Sequence, residues 1–165
     1  METISKEIIE NVWEEIGKMP PEEMGSLIEE FGKTQKGVLT YLLTTGESLI
    51  PTEEREWLFF LGIMIWRIMS KVNNNLSSVP LEDIYAAEDA NYSRLENLSE
   101  ESEGDFIAQS FEDFNSYNQK HLLGVIVEAV LGKEEESFFD EEEAEHKGFM
   151  LLVLKTIIDC FDQAE

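Results

Sequence analysis

A chain of 165 residues with 36 acidic against 12 basic side chains carries a formal charge of −24. Such a field repels phosphate backbones and anionic headgroups, so direct nucleic-acid binding and membrane-surface binding are not expected. The 42% hydrophobic fraction excludes a disordered acidic tail, because a chain this apolar has enough to bury around one core.

The amino-terminal stretch from Met1 to Glu7 lacks the basic flank and apolar run of a secretory signal. Cys160 is the single cysteine, and it lies in an apolar context that suits a small buried thiol. A reducing, cytoplasmic setting follows as the expectation, with no cofactor.

Apolar residues recur at spacings of three and four, which predicts helices throughout and no strand. The first runs from about Ser5 to Gly17, with Ser5 as its cap and Ile8, Ile9, Val12, Trp13 and Ile16 on one face. Pro20 and Pro21 open the second, which passes Met24, Leu27, Ile28 and Phe31 and is expected to stop at Gly32. The third starts after Thr34 and ends before Gly46, and the fourth runs from a Thr52 cap to about Val72. Within it Trp57 to Trp66 is apolar throughout, far short of the roughly 20 residues of a membrane span. It reads as a buried core helix.

Beyond Pro80 a fifth helix extends to about Leu98, with Leu81, Ile84, Tyr85, Tyr92 and Leu95 spaced for one face. Ser99 to Gly104 reads as a loop, and a sixth helix carries Phe106, Ile107, Phe111 and Phe114. A turn at Asn115 to Asn118 leads into a seventh, which Gly132 closes. The last runs from Asp140 to about Phe161.

Two segments repeat. Ile28-Glu-Glu-Phe31 matches Phe111-Glu-Asp-Phe114, Thr34-Gln35-Lys36 matches Asn118-Gln119-Lys120, and Thr52-Glu-Glu54 matches Asp140-Glu-Glu142. Leu61, Ile63, Ile65, Arg67 and Met69 then align with Phe149, Leu151, Val153, Lys155 and Ile157. The period is about 83 to 88 residues. The expected architecture is therefore an all-α, single-domain bundle of seven to eight helices spanning 1–165, a pseudo-twofold duplication of a three-helix unit with halves 1–75 and 80–165. The leading helices match weakly, through Trp13-Glu against Leu95-Glu.

Catalytic signatures are scarce. Glu143 and His146 have a Glu-x-x-His spacing that puts them on neighbouring helix positions. A di-metal bundle would need a second such pair, and the other histidine, His121, has Asn118 three residues before it. No metal site is expected. Asp159 and Asp162 flank Cys160 and disfavour a thiolate. Glycine-rich phosphate loops, Cys-x-x-Cys pairs and calcium loops are absent from the sequence.

What remains is a surface. Glu134 to Glu145 contains eight acidic residues, and Glu82 to Asp105 contains nine against Arg94 alone; both read first as solvated stretches. Gln35, Lys36, Gln119 and Lys120 are candidate interaction residues because they recur at equivalent helix starts. Phe138 and Phe139 are candidates as aromatic anchors. The resulting expectation is a non-enzymatic protein-interaction domain with a basic protein partner or, as a homodimer, a second copy. The alternatives are an inhibitor, immunity or nucleic-acid-mimic protein that blocks a basic target, and a helical-bundle metalloenzyme.

Overall fold

The computed structural model describes residues 1–99, 112–132 and 140–164, and among them every regular element is a helix. The order is α1 (Lys6–Gly17), α2 (Pro21–Thr34), α3 (Lys36–Thr44), α4 (Thr52–Val72), α5 (Leu81–Ser99), α6 (Lys120–Leu131) and α7 (Glu141–Gln163). A short helical stretch at 112–116 precedes α6. The protein is an all-α bundle, as the periodicity predicts. Among the described residues no helix is long and apolar enough to cross a membrane.

Local chemistry sets the helix ends. The Ser5 hydroxyl accepts from the Ile8 amide at 3.4 Å, and the Asp140 carboxylate accepts from the Glu143 amide at 2.8 Å. Each satisfies one of the amides that the first helical turn leaves without a partner. Gly46 and Gly132 follow α3 and α6 with φ near +78° and +77°, a left-handed backbone that glycine enters without a Cβ penalty.

Two boundaries differ from expectation, the end of α2 and the start of α4, and the caps add detail. Gly32 does not stop α2 but lies inside it, where an added Cβ would come within 3.2 Å of Leu39; its smallness lets α3 fold back closely. Thr34 closes α2 instead of capping α3, donating its hydroxyl to the Glu30 carbonyl at 2.9 Å. Thr52 is the first helical residue of α4, because Pro51 takes the cap position in extended geometry. Gln119, and not Asn118, caps α6.

The core is centred on α4 and α7. Leu58, Leu61 to Trp66, Ile68 and Met69 are buried on α4, and Met150, Leu152 to Leu154, Thr156 to Ile158, Cys160 and Phe161 on α7. Helices apolar on so many faces must be surrounded. α4 touches α1, α2, α3 and α7, while α7 touches α4, α5 and α6. Gly62 admits Leu42 against α4, for a Cβ there would lie 2.5 Å from it.

α5 is turned away from its expected orientation. Ile84 is fully buried, with Ala87 and Asn91 below it at helical spacing, whereas Tyr85, Tyr92 and Leu95 are 46%, 45% and 49% exposed. The helix rests on α3 and α7 through Leu81, Ile84 and smaller side chains, and leaves Tyr85, Tyr92 and Leu95 about half exposed, with the Tyr85 ring edge-on to Tyr41.

Candidate interaction surface

Gln35 and Gln119 are completely buried. Gln35 Nε2 donates to the Ser77 carbonyl at 3.0 Å and its Oε1 accepts from the Val79 amide at 3.1 Å. Gln119 Nε2 donates to the Glu2 carbonyl at 2.9 Å and its Oε1 accepts from the Ile4 amide at 3.0 Å. In both cases one carboxamide engages the amide of a residue and the carbonyl two before it. Those are the groups that an adjacent strand would pair, so each glutamine replaces a peptide unit beside an extended segment.

These contacts cross the molecule. Gln35, at the start of α3, fastens the residues that lead into α5, and Gln119, at the start of α6, fastens those that lead into α1. Ile4 and Val79 thereby occupy the same role. In that register Ile9 corresponds to Ile84 and Ile16 to Asn91, all buried. The weaker sequence match of Trp13 with Leu95 does not share an environment, since Trp13 is half-buried and Leu95 exposed. Both glutamines are thus internal fasteners. The exposure at the repeated motif falls to Lys36 and, partly, to Lys120. Phe138 and Phe139 lie outside the described residues, as do Phe106, Ile107 and Phe111.

A polar network joins α5, α7 and the approach to α6. Asp159 accepts from Tyr117 Oη, Asn91 Nδ2 and Lys155 Nζ, and Lys155 also donates to Asn91 Oδ1 at 2.7 Å. Lys155 Nζ stands 5.0 Å from the Tyr117 ring centroid. With three donors on it, Asp159 is a structural acceptor and not a free base. The Cys160 thiol is pushed up to about 12 by burial and by the nearby Asp159 and Asp83 carboxylates, which keeps it protonated and unreactive at neutral pH.

His146 turns away from Glu143. Its Nδ1 lies 3.1 Å from Glu54 Oε2 on α4, with Lys147 Nζ at 4.0 Å from the same carboxylate, while the Glu143 amide is held by Asp140. Among the described residues no three or more His, Cys, Asp or Glu side chains are grouped to hold a metal ion. His146 therefore takes part in a contact between α4 and α7.

Three features of the described surface stand out. Along α5, Tyr85, Tyr92 and Leu95 stand among the exposed Glu82, Asp89 and Glu96, and the helix's single cation, Arg94, pairs with Asp113. Between α1 and α6 runs a groove made of two cavities of about 540 and 530 Å³ that share Glu10, Val125 and Glu128. A third cavity, about 670 Å³, lies between α5 and α7 over Ala86, Ala87 and Ala90, and Asp159 lines it.

No protein family model, curated protein or solved structure matches this chain. Its functional reading therefore rests on its own surface.

Proposed function

We propose that the chain is a non-enzymatic interaction protein whose acidic exterior binds a basic protein partner. The observation that carries this reading is the exposed ridge of α5. Aromatic and aliphatic side chains that would ordinarily seek the core are about half exposed there, interleaved with carboxylates. Tyrosine presents a wide apolar face with a polar tip and anchors interfaces efficiently, and a neighbouring carboxylate favours an approaching lysine or arginine. A second copy of the chain is a poor occupant, because two ridges of the same sign would repel.

An inhibitor reading is a special case of this one, in which the covered basic surface is the partner's own anion-binding site. It adds a kinetic requirement: association fast at low salt and slowed steeply as salt rises. The bundle itself is read as two related halves, 1–75 and 80–165, a reading supported by the reciprocal glutamine contacts.

The test is capture of partners from native extract at low and high salt, repeated with Tyr85→Ala/Tyr92→Ala and with Glu82→Lys/Asp89→Lys. A basic protein retained by the parent and lost from both variants supports the proposal. Retention by both variants, or a set of captured proteins with no basic member, overturns it.

A further inference from the structure

The seam between α1 and α6 differs from its counterpart between α5 and α3. Two residues after Gln35 stands Gly37, where an added Cβ would sit 2.3 Å from the Val79 carbonyl oxygen. The bare backbone lets α3 lie directly on the entry to α5. Two residues after Gln119 stands His121. A side chain of that size prevents the same approach, and α6 contacts α1 less extensively than α3 contacts α5. The space so left is the groove.

Its composition is specific. Trp13, Val125 and Ala129 form an apolar floor over the buried Ile9, and Glu10, Glu14 and Glu128 stand exposed around it, with no lysine or arginine among the described residues lining that part. Toward the other end the groove continues past Gly124 to Phe114 and His121, where Lys6 and Lys120 also line it, so the negative charge is concentrated at the Glu10, Glu14 and Glu128 end. From His121 to Gly132 α6 rises about 17 Å, the length of roughly three turns of a bound helix. An amphipathic helix sets an apolar stripe at i, i+3, i+4 and i+7, which suits such a floor, and its flanking cations would meet the three carboxylates.

We infer that the α1–α6 groove is a docking site for a cationic amphipathic helix of a protein partner. The occupant is chosen by charge: an acidic helix, or a second copy of this chain, would bring carboxylates against Glu10, Glu14 and Glu128. The inference rests on the reading that the partner is basic, and it adds the partner's shape and the place of contact.

The experiment uses the full chain and a fluorescein-labelled 14-residue peptide of leucine and lysine, patterned as an amphipathic helix, beside a scrambled peptide of equal composition. Anisotropy titrations are run at about 150 mM salt, where long-range attraction is largely screened. The patterned peptide is expected to bind at least tenfold more tightly than the scramble. Glu10→Lys/Glu14→Lys/Glu128→Lys, all at exposed positions, should weaken it at least tenfold. A charge-matched triple elsewhere, Glu22→Lys/Glu30→Lys/Glu47→Lys, at exposed positions outside both the groove and α5, should weaken it less than threefold.

Equal weakening by both triples, or no preference for the patterned peptide, overturns the inference. Backbone amide shifts on peptide addition give a second reading: changes confined to α1 and α6 support the groove, and changes elsewhere sink it. If the groove fails while a basic partner is still captured through α5, the broader proposal stands. If no basic partner is captured either, that proposal falls separately.

Discussion

Gln35 and Gln119 perform the same backbone pairing at two junctions, yet the helices behind them meet differently. At the first junction Gly37 brings α3 against the residues before α5; at the second, His121 stands where that glycine would be and the seam opens into a groove. Gln119 has a further partner, the Asp162 carboxylate at 2.7 Å, and its neighbour Asn118 bonds the Met1 carbonyl at 2.8 Å and Asp162 at 2.9 Å. One junction is closed by packing and the other by extra hydrogen bonds. A fastening motif can therefore be kept while the surface beside it changes.

The largest test of that comparison removes the fasteners. Gln35→Ala removes the bonds to the buried Val79 amide and the Ser77 carbonyl, and Gln119→Ala removes those to Ile4, Glu2 and Asp162. Losing two such bonds at Gln35, or three at Gln119, and opening a void should lower unfolding free energy by about 2–4 kcal/mol in each variant. Urea unfolding measures it. Costs that differ by more than about 2 kcal/mol would show that the junctions are not energetic equals.

Next comes Gly37→Ala. Alanine favours a helix interior by roughly 0.5–1 kcal/mol, but the new Cβ would strike the Val79 carbonyl, and overpacking against backbone should win with a net loss of about 2 kcal/mol. The matched change, His121→Ala, should stay within about 0.5 kcal/mol. Thermal or urea midpoints decide between them. A neutral Gly37→Ala would mean that tight packing does not hold the first seam.

Two phenols can also be compared through pH. Tyr41 donates to Glu88 and Tyr117 to Asp159, and burial first, then the adjacent carboxylate, pushes both phenols above their usual range. The folded state thus holds these protons more tightly than the unfolded chain. Their contribution is complete below about pH 10 and is lost as pH rises above it. Each tyrosine should remove about 1 kcal/mol of stability between pH 10 and 11. Tyr117→Phe should flatten that decline relative to the parent, and unchanged slopes in urea midpoints at pH 9, 10 and 11 would contradict the assignment.

Much of this was legible in the residues. Ser5 and Asp140 announce helix starts, Gly46 and Gly132 announce ends, and the apolar run from Trp57 to Trp66 announces core, although Trp57 itself is 37% exposed. Cys160 is buried as its neighbours suggest. Periodicity did not disclose the rotation of α5, because Ala87 and Asn91 form the contact face there and carry little hydrophobic signal against Tyr85 and Tyr92. The glutamines were found through repetition but read as surface groups, since an uncharged amide after a polar residue looks solvent-facing. The recurring Gln beside a helix start, with extended apolar entries at Ile4 and Val79, was the available clue. The groove was not legible, for it depends on how far one glycine and one histidine let two helices approach.

The smallest effect concerns the cations at matched positions of α4 and α7. Lys155 works within a network on its own helix and α5, whereas Arg67 reaches across to Glu15 on α1 at 3.1 Å, with Lys71 at 3.5 Å. The hydrogen bond from Arg67, above the lesser pull of Lys71, holds the Glu15 carboxyl below its usual value despite some desolvation. A depressed folded pKa stabilises the native state above the unfolded value near 4.5, and that contribution disappears as pH falls through the lowered one. Since the Glu15 side chain is 38% exposed, solvent screening limits the pair, and Glu15→Gln should lose no more than about 0.5 kcal/mol at pH 7. The loss should shrink in about 1 M salt and vanish near pH 3. A loss above about 1.5 kcal/mol that survives high salt would show instead that Glu15 is bound into the bundle as firmly as Asp159 is, and the two halves would then differ less than their ion pairs suggest.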